Sequence, residues 1–144
     1  MNIRGILFQK GTTVATIAAD ASIAEAAEAL ANHRVGALVV SSDGATIDGI
    51  ISERDLARGL AVHGAAVVEC RVSDLMTAEV VHCGLTDSVE QLMALMTDRR
   101  IRHVPVADGG RLAGIVSIGD IVKSRLDDLE TERATLQEYL TTGR

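Results

Sequence analysis

Two stretches of this chain carry the same side chains at the same spacing: GIISERD at Gly49–Asp55 and GIVSIGD at Gly114–Asp120. A serine followed three residues later by an aspartate has two kinds of chemistry open to it. The pair can cap a helix, each side chain satisfying an amide of the first turn, and the carboxylate then also suits the helix dipole. Alternatively, a carboxylate where a strand runs into a helix is a natural acceptor for the paired hydroxyls of a ribose, at a place where α/β folds hold ligands. The glycine ahead of each serine would let a backbone or a flat ring approach closely. On the pattern alone, both readings stand.

The other reactive residues are sparse and badly spaced for catalysis. His33, His63, His82 and His103 form no H-E-x-x-H pair, and Cys70 and Cys83 form no C-x-x-C. His82-Cys83 reads as two neighbours on a strand, and no nucleophile elbow or phosphate-cradling GxxxxGK loop occurs. The expectation is therefore a protein that is not an enzyme and holds no metal. Phe8 and Tyr139 are the only aromatics, which argues against stacking as the way a ligand is held.

Charge and composition narrow the partners. The formal net charge is −6 and no basic run exceeds Arg99-Arg100, so the footprint needed to neutralise nucleic-acid phosphates is missing. No apolar run reaches the length of a membrane span, and MNIRGILFQKGTT lacks the apolar core and cleavage site of a signal peptide. A cytoplasmic protein with reduced thiols is expected. At 144 residues with 47% hydrophobic content, the chain can bury a core without staples.

The elements that must position the two Ser-x-x-Asp pairs are themselves duplicated. Val14 aligns with Val80, Ser22 with Ser88, Arg34 with Arg100 and Val40 with Val106 at one constant offset. Gly49 and Gly114 follow at an offset one residue shorter. Each copy begins with a β-rich stretch, Val14–Ile17 or Val80–Cys83. Each continues into a helix with a capping box, Ser22-x-x-Glu25 or Ser88-x-x-Gln91. Ile23, Ala26, Ala27 and Leu30 fall on one helical face, as do Val89, Leu92, Met93 and Met96. The runs GALVV and HVPV suit strands covered on both faces. Asp43-Gly44 and Asp108-Gly109-Gly110 supply turns, and a second strand ends at each serine, where a last helix begins. The order is β-α-β-β-α, twice, over residues 8–63 and 73–128, with Ala61–Val72 as connector. In the tail, 129–144, Leu129, Leu136 and Leu140 share a stripe that Arg133 interrupts. That stripe is too short for a free-standing coiled coil and suits packing on its own domain or on a partner subunit.

With these residues in view, the chain resembles a tandem pair of CBS domains, the cystathionine-β-synthase-type repeats of a Bateman module. The resemblance implies an α/β fold of two β-α-β-β-α repeats packed sheet to sheet, assembled as a disc-like homodimer. It also implies a regulatory role, with an adenosine nucleotide in the cleft between repeats: AMP first, with ADP, ATP, NAD or S-adenosylmethionine as alternatives. The signal would pass through the dimer surface or an effector protein that the sequence does not identify. The other reading left open is a dimeric scaffold with degenerate ligand sites.

Carried over to these residues, the resemblance implies two interleaved sites. Asp120 would take ribose hydroxyls, with Ser117 near phosphate, Ile115 against adenine, and Gly11, Thr12 and Thr16 completing that site. Asp55 and Ser52 would be joined by Thr77, Val81 and His82. Phosphate would fall to Arg102 and His103 in the second repeat. The first repeat has Gly36-Ala37 at the matching place, so Arg54 would have to compensate, and the two sites should be inequivalent.

Overall fold

A computed structural model describes residues 1–142. Its elements run α1 (Ile3–Lys10), β1 (Thr16–Ile17), α2 (Ile23–His33), β2 (Ala37–Val40), β3 (Gly49–Ser52), α3 (Glu53–His63), a 3-10 turn (Gly64–Glu69), α4 (Val72–Leu75), α5 (Val89–Arg99), β4 (His103–Asp108), β5 (Arg111–Ser117) and α6 (Ile118–Thr142). In the first half β2 lies between β1, to which it is parallel, and β3, to which it is antiparallel. In the second half β4 and β5 pair antiparallel, with a register shift at Val106/Ala107. The apolar runs are buried as their composition requires: all four residues of β2 are buried, as are Val104, Pro105 and Val106 of β4.

The expected strand Val80–Cys83 is reduced to a single bridge, in which Cys83 pairs parallel to Val106. The chain there crosses between halves. Thr77 exchanges both backbone hydrogen bonds with Ile50 of β3, at 3.0 and 2.9 Å, and Cys83 then joins β4. Gly84 turns away at once, its amide donating to Asp87 Oδ2 at 2.8 Å. The Cys83 thiol is buried, and burial, reinforced by the Asp87 charge, pushes it up to about 11, so it is an inert packing residue.

The helix faces are narrower than the periodicity suggests. Ile23, Ala26 and Leu30 are buried but Ala27 is exposed; Val89, Leu92 and Met96 are buried but Met93 is exposed. Ser88 and Gln91 form the full reciprocal box. Ser22 caps only one way, accepting from the Glu25 amide at 3.1 Å. Its backbone is instead bridged to Arg71.

Two helices were not legible in the pattern. The connector is helical, its 3-10 turn and α4 placing Val67 and Val72 in the core of the first half. At the other end, α1 buries Ile3, Ile6 and Leu7 in the core of the second half, with Val89, Leu92, Val104 and Val116. Each half is thus completed by the segment that precedes the other. The glycines of the duplicated motif serve this exchange. A Cβ at Gly114 would meet Leu7 Cδ1 and Cδ2 at 2.8 Å, and one at Gly49 would meet Met76 Sδ at 2.8 Å and the Thr77 carbonyl at 3.0 Å. The expected tail is the continuation of α6, one 25-residue helix. Its last two residues, Gly143 and Arg144, lie outside the described residues.

Candidate functional site

Both Ser-x-x-Asp pairs form the cap. The Ser52 amide and hydroxyl donate to Asp55 Oδ2 at 2.9 and 3.1 Å, and Ser52 Oγ accepts from the Asp55 amide at 3.4 Å. The same three bonds recur between Ser117 and Asp120, at 2.8, 3.0 and 3.3 Å. In each pair the carboxylate spends only Oδ2 on the cap. Its Oδ1 receives no hydrogen bond among the described residues, so capping does not exhaust the acid.

Around Asp55 the structure opens a cleft of about 620 Å³, within the range of small-ligand sites. Ser52, Arg54, Asp55, Thr77, Val81, Arg102 and His103 all line it. Both halves contribute: β3 and α3 bring the acid end, while the crossing segment and the α5–β4 corner bring the opposite wall. The cleft also holds residues that the sequence reading did not single out, namely Glu53, Arg58, Glu79, Arg99 and Arg100. Arg58 lies one helical turn beyond Arg54 on α3, a spacing that was readable. Arg99-Arg100 was visible as the longest basic run, but only folding brings it beside α3. Arg100 closes α5 in the left-handed conformation (φ 53°), and its carbonyl accepts from Arg54 Nη1 at 3.3 Å.

Five arginines therefore face this cleft, and none forms an ion pair within 4.0 Å among the described residues. A concentration of unpaired guanidinium groups in a chain of net charge −6 calls for an anion, and the planar fork of arginine suits phosphate oxygens.

Gly36 explains why the first half lacks a cation where the second has Arg102. A Cβ at Gly36 would sit 2.8 Å from Glu53 Oε1 and 3.0 Å from His103 Cε1 and Nε2. The missing side chain of one repeat makes room for the imidazole of the other. Burial holds that imidazole below its usual value near 6.5; Glu53 and Asp120 pull upward, while Lys10 and Arg102 push the same way as burial.

The second acid has different neighbours. Lys10 Nζ donates to Asp120 Oδ2 at 2.7 Å and to the Ile115 carbonyl at 2.8 Å. Burial works to raise the Asp120 carboxyl, but Lys10 and the Ser117 amide outweigh it and hold the group below the usual carboxylate range. Lys10 escaped the sequence reading because nothing local marks it; α1 carries it there. Gly11 follows Lys10 and ends α1 at φ 98°, Thr12 lies just beyond, and Thr16 stands exposed on β1. None of these three lines the Asp55 cleft, and His82 lines a separate hollow of about 530 Å³ with Thr46, Cys83 and Asp87.

No group of three or more His, Cys, Asp or Glu residues suited to a metal occurs among the described residues, and no helix there is long and apolar enough to cross a membrane.

Comparison with known proteins gives one consistent family. The profile of the CBS domain matches twice, over residues 11–62 and 72–127. A mitochondrial CBS domain-containing protein of Arabidopsis thaliana is 38% identical over 86% of this chain and 62% of its own length. A CBS domain-containing protein of Bacillus subtilis is 32% identical over 81% of this chain and 82% of its own. Among solved structures, a CBS-domain containing protein from Agrobacterium tumefaciens superposes with a TM-score of 0.84 at 47% identity, covering 86% of this chain and 92% of that one. The CBS domain pair of protein MJ0100, solved with 5'-methylthioadenosine and S-adenosyl-L-methionine, superposes at 0.77 with 28% identity, over 90% of this chain and 98% of that one.

Proposed function

The chain belongs to the CBS-domain family as a tandem pair of repeats, and from that premise we propose that it is a non-catalytic regulatory module that binds an adenosine nucleotide in the Asp55 cleft. One observation carries this reading: the cleft offers a carboxylate with a free oxygen and five arginines without acid partners, Arg54 and Arg58 on α3 beside that carboxylate and Arg99, Arg100 and Arg102 on the opposite wall. A nucleotide has the matching groups, paired ribose hydroxyls and a phosphate chain. The crossing segment lines the same cleft, and its backbone at Val80 and Val81 is suited to an adenine edge where no aromatic is at hand. The arginines favour AMP, ADP, ATP or NAD over S-adenosylmethionine, whose sulfonium brings a positive charge instead of phosphates. That another CBS pair is known with two adenosine compounds supports the nucleoside part of the reading.

The signal would leave through surfaces that ligand binding repacks, and by no more than the ligand's differential affinity for two packings of the halves. The exposed apolar stripe of α6 supports a homodimer as the unit that responds, acting on an effector protein.

Thermal unfolding with AMP, ATP, NAD, S-adenosylmethionine, GTP and inorganic phosphate tests the proposal. A nucleotide at about 100 times its Kd raises Tm by about 5–10 °C for a chain of this size. Asp55→Asn keeps an oxygen for the cap, so the ligand-free Tm should barely move. Losing a charge-assisted acceptor should weaken binding at least ~10-fold. No shift with any adenosine compound would favour the scaffold reading. A large fall in ligand-free Tm with unchanged affinity would mean that Asp55 serves the cap alone.

A further inference from the structure

We infer that Lys10 closes the Asp120 site, so that each chain takes up one adenosine nucleotide, at the Asp55 cleft, where its duplicated sequence suggests two. The inference rests on the nucleotide reading above and adds a residue that decides which of two near-copies is used.

Lys10 pairs with the carboxylate that a ribose would need at that site, at the same Oδ2 that serves the cap, and so sets an ammonium group beside the remaining oxygen. Asp120 is the counterpart of Asp55, and the Ile115 carbonyl is the counterpart of the Ile50 carbonyl, which in the first half accepts the Thr77 amide instead. With Nζ at 2.7 Å from the first and 2.8 Å from the second, one ammonium group engages both. A ribose would have to share a carboxylate already paired with a charged donor, or displace that donor in exchange for weaker hydrogen bonds from neutral hydroxyls.

Lys10 is also held in place. It is the last residue of α1, whose Ile3, Ile6 and Leu7 are buried in the core of the second half, and Gly11 stops the helix immediately after it. The first half has no such residue. At the offset that aligns Val14 with Val80, Lys10 falls on Met76, which packs against Gly49 and brings no charge to Asp55. Asp55 forms no ion pair among the described residues, and its cleft is open.

Native mass spectrometry with ATP, and separately with AMP, reads the number bound per chain. Wild type should saturate at one, and Asp55→Asn should weaken that binding at least ~10-fold. Lys10→Met, which copies the first half, should take up two nucleotides, the second binding at least ~10-fold more tightly than any second binding to wild type. Adding Asp120→Asn to that variant should remove the second again. Lys10→Gln provides the same test with a polar side chain should the methionine variant fold poorly. The wild-type count and its response to Asp55→Asn need neither. Two nucleotides on wild type, one whose affinity Asp55→Asn leaves unchanged, or Lys10 variants that stay at one would overturn the latch and leave the nucleotide reading standing. Weaker binding by the Lys10 variants would make Lys10 a ligand contact and overturn it equally. No nucleotide on any of these proteins would overturn the nucleotide reading and the latch with it.

Discussion

His103 occupies the point where the two halves share a residue: its ring lies over Gly36 of one repeat while its backbone begins β4 of the other. Burial comes first among the forces on it and keeps the imidazole neutral below the pH at which a free histidine would take a proton. Unfolding releases that constraint, so below a pH near 6.5 the unfolded chain binds a proton that the folded chain refuses. The stability contribution is therefore intact above that pH and declines as pH falls toward the depressed folded value. Urea midpoints at pH 7.5, 6.5 and 5.5 should drop more steeply for wild type than for His103→Gln, which cannot titrate. Parallel slopes would show that the ring is as free to protonate in the fold as out of it. Of the charges facing it, Glu53, Lys10 and Asp120 belong to three different helices and only Arg102, in the loop before β4, is its neighbour in the chain, so no local window of sequence contains this environment.

At the scale of elements, α1 is the piece whose role is least local. It sits at the start of the chain, yet Leu7 packs on Gly114 of β5. Leu7→Ala should cost about 2–5 kcal/mol, as other deletions of a buried leucine do. Gly114→Ala should cost about 1–3 kcal/mol, because the new methyl would meet Leu7 well inside contact distance. The two changes share one space, so their costs should not add: the double variant should be more stable than the sum of the singles by about 0.5–3 kcal/mol. Chemical denaturation of the four proteins measures this, and strict additivity would mean that α1 does not dock on β5 in solution. The same docking sets Lys10 on Asp120, so one eight-residue helix carries both core contacts and the proposed latch.

The whole molecule leaves an apolar stripe uncovered. Along α6, Val122, Leu126, Leu129, Leu136 and Leu140 are all exposed, and with Arg133 they follow each other at alternating steps of four and three residues. Such spacing forms the seam of paired helices. Leu136 and Leu140 do not pack on their own domain, and the proposed homodimer would lay a second copy over them. Light scattering at micromolar concentration should give about twice the 15.2 kDa chain mass. Leu126→Glu combined with Leu129→Glu should shift the protein toward the monomer, since two charges would then face the seam. A monomeric wild type would sink the dimer and, with it, the route by which a ligand signal is proposed to leave.

The sequence by itself determined the duplicated α/β plan, because periodicity, turn residues and caps are local signals that each repeat writes in full. It also determined that Ser52, Asp55, Ser117 and Asp120 stand where strands run into helices, since that placement needs only the adjacent elements. Inequivalence of the two copies was visible in Gly36-Ala37 against Arg102-His103, though not its cause. Tertiary structure alone decided that α1 and α4 complete opposite halves, that Arg99 and Arg100 face α3 across a cleft, that His82 does not, and that Lys10 reaches Asp120. These are contacts between residues far apart in the chain, and no pattern of neighbours encodes them. They arise when each half buries the apolar face of a helix supplied by the other, and the charged side chains arrive wherever that packing carries them.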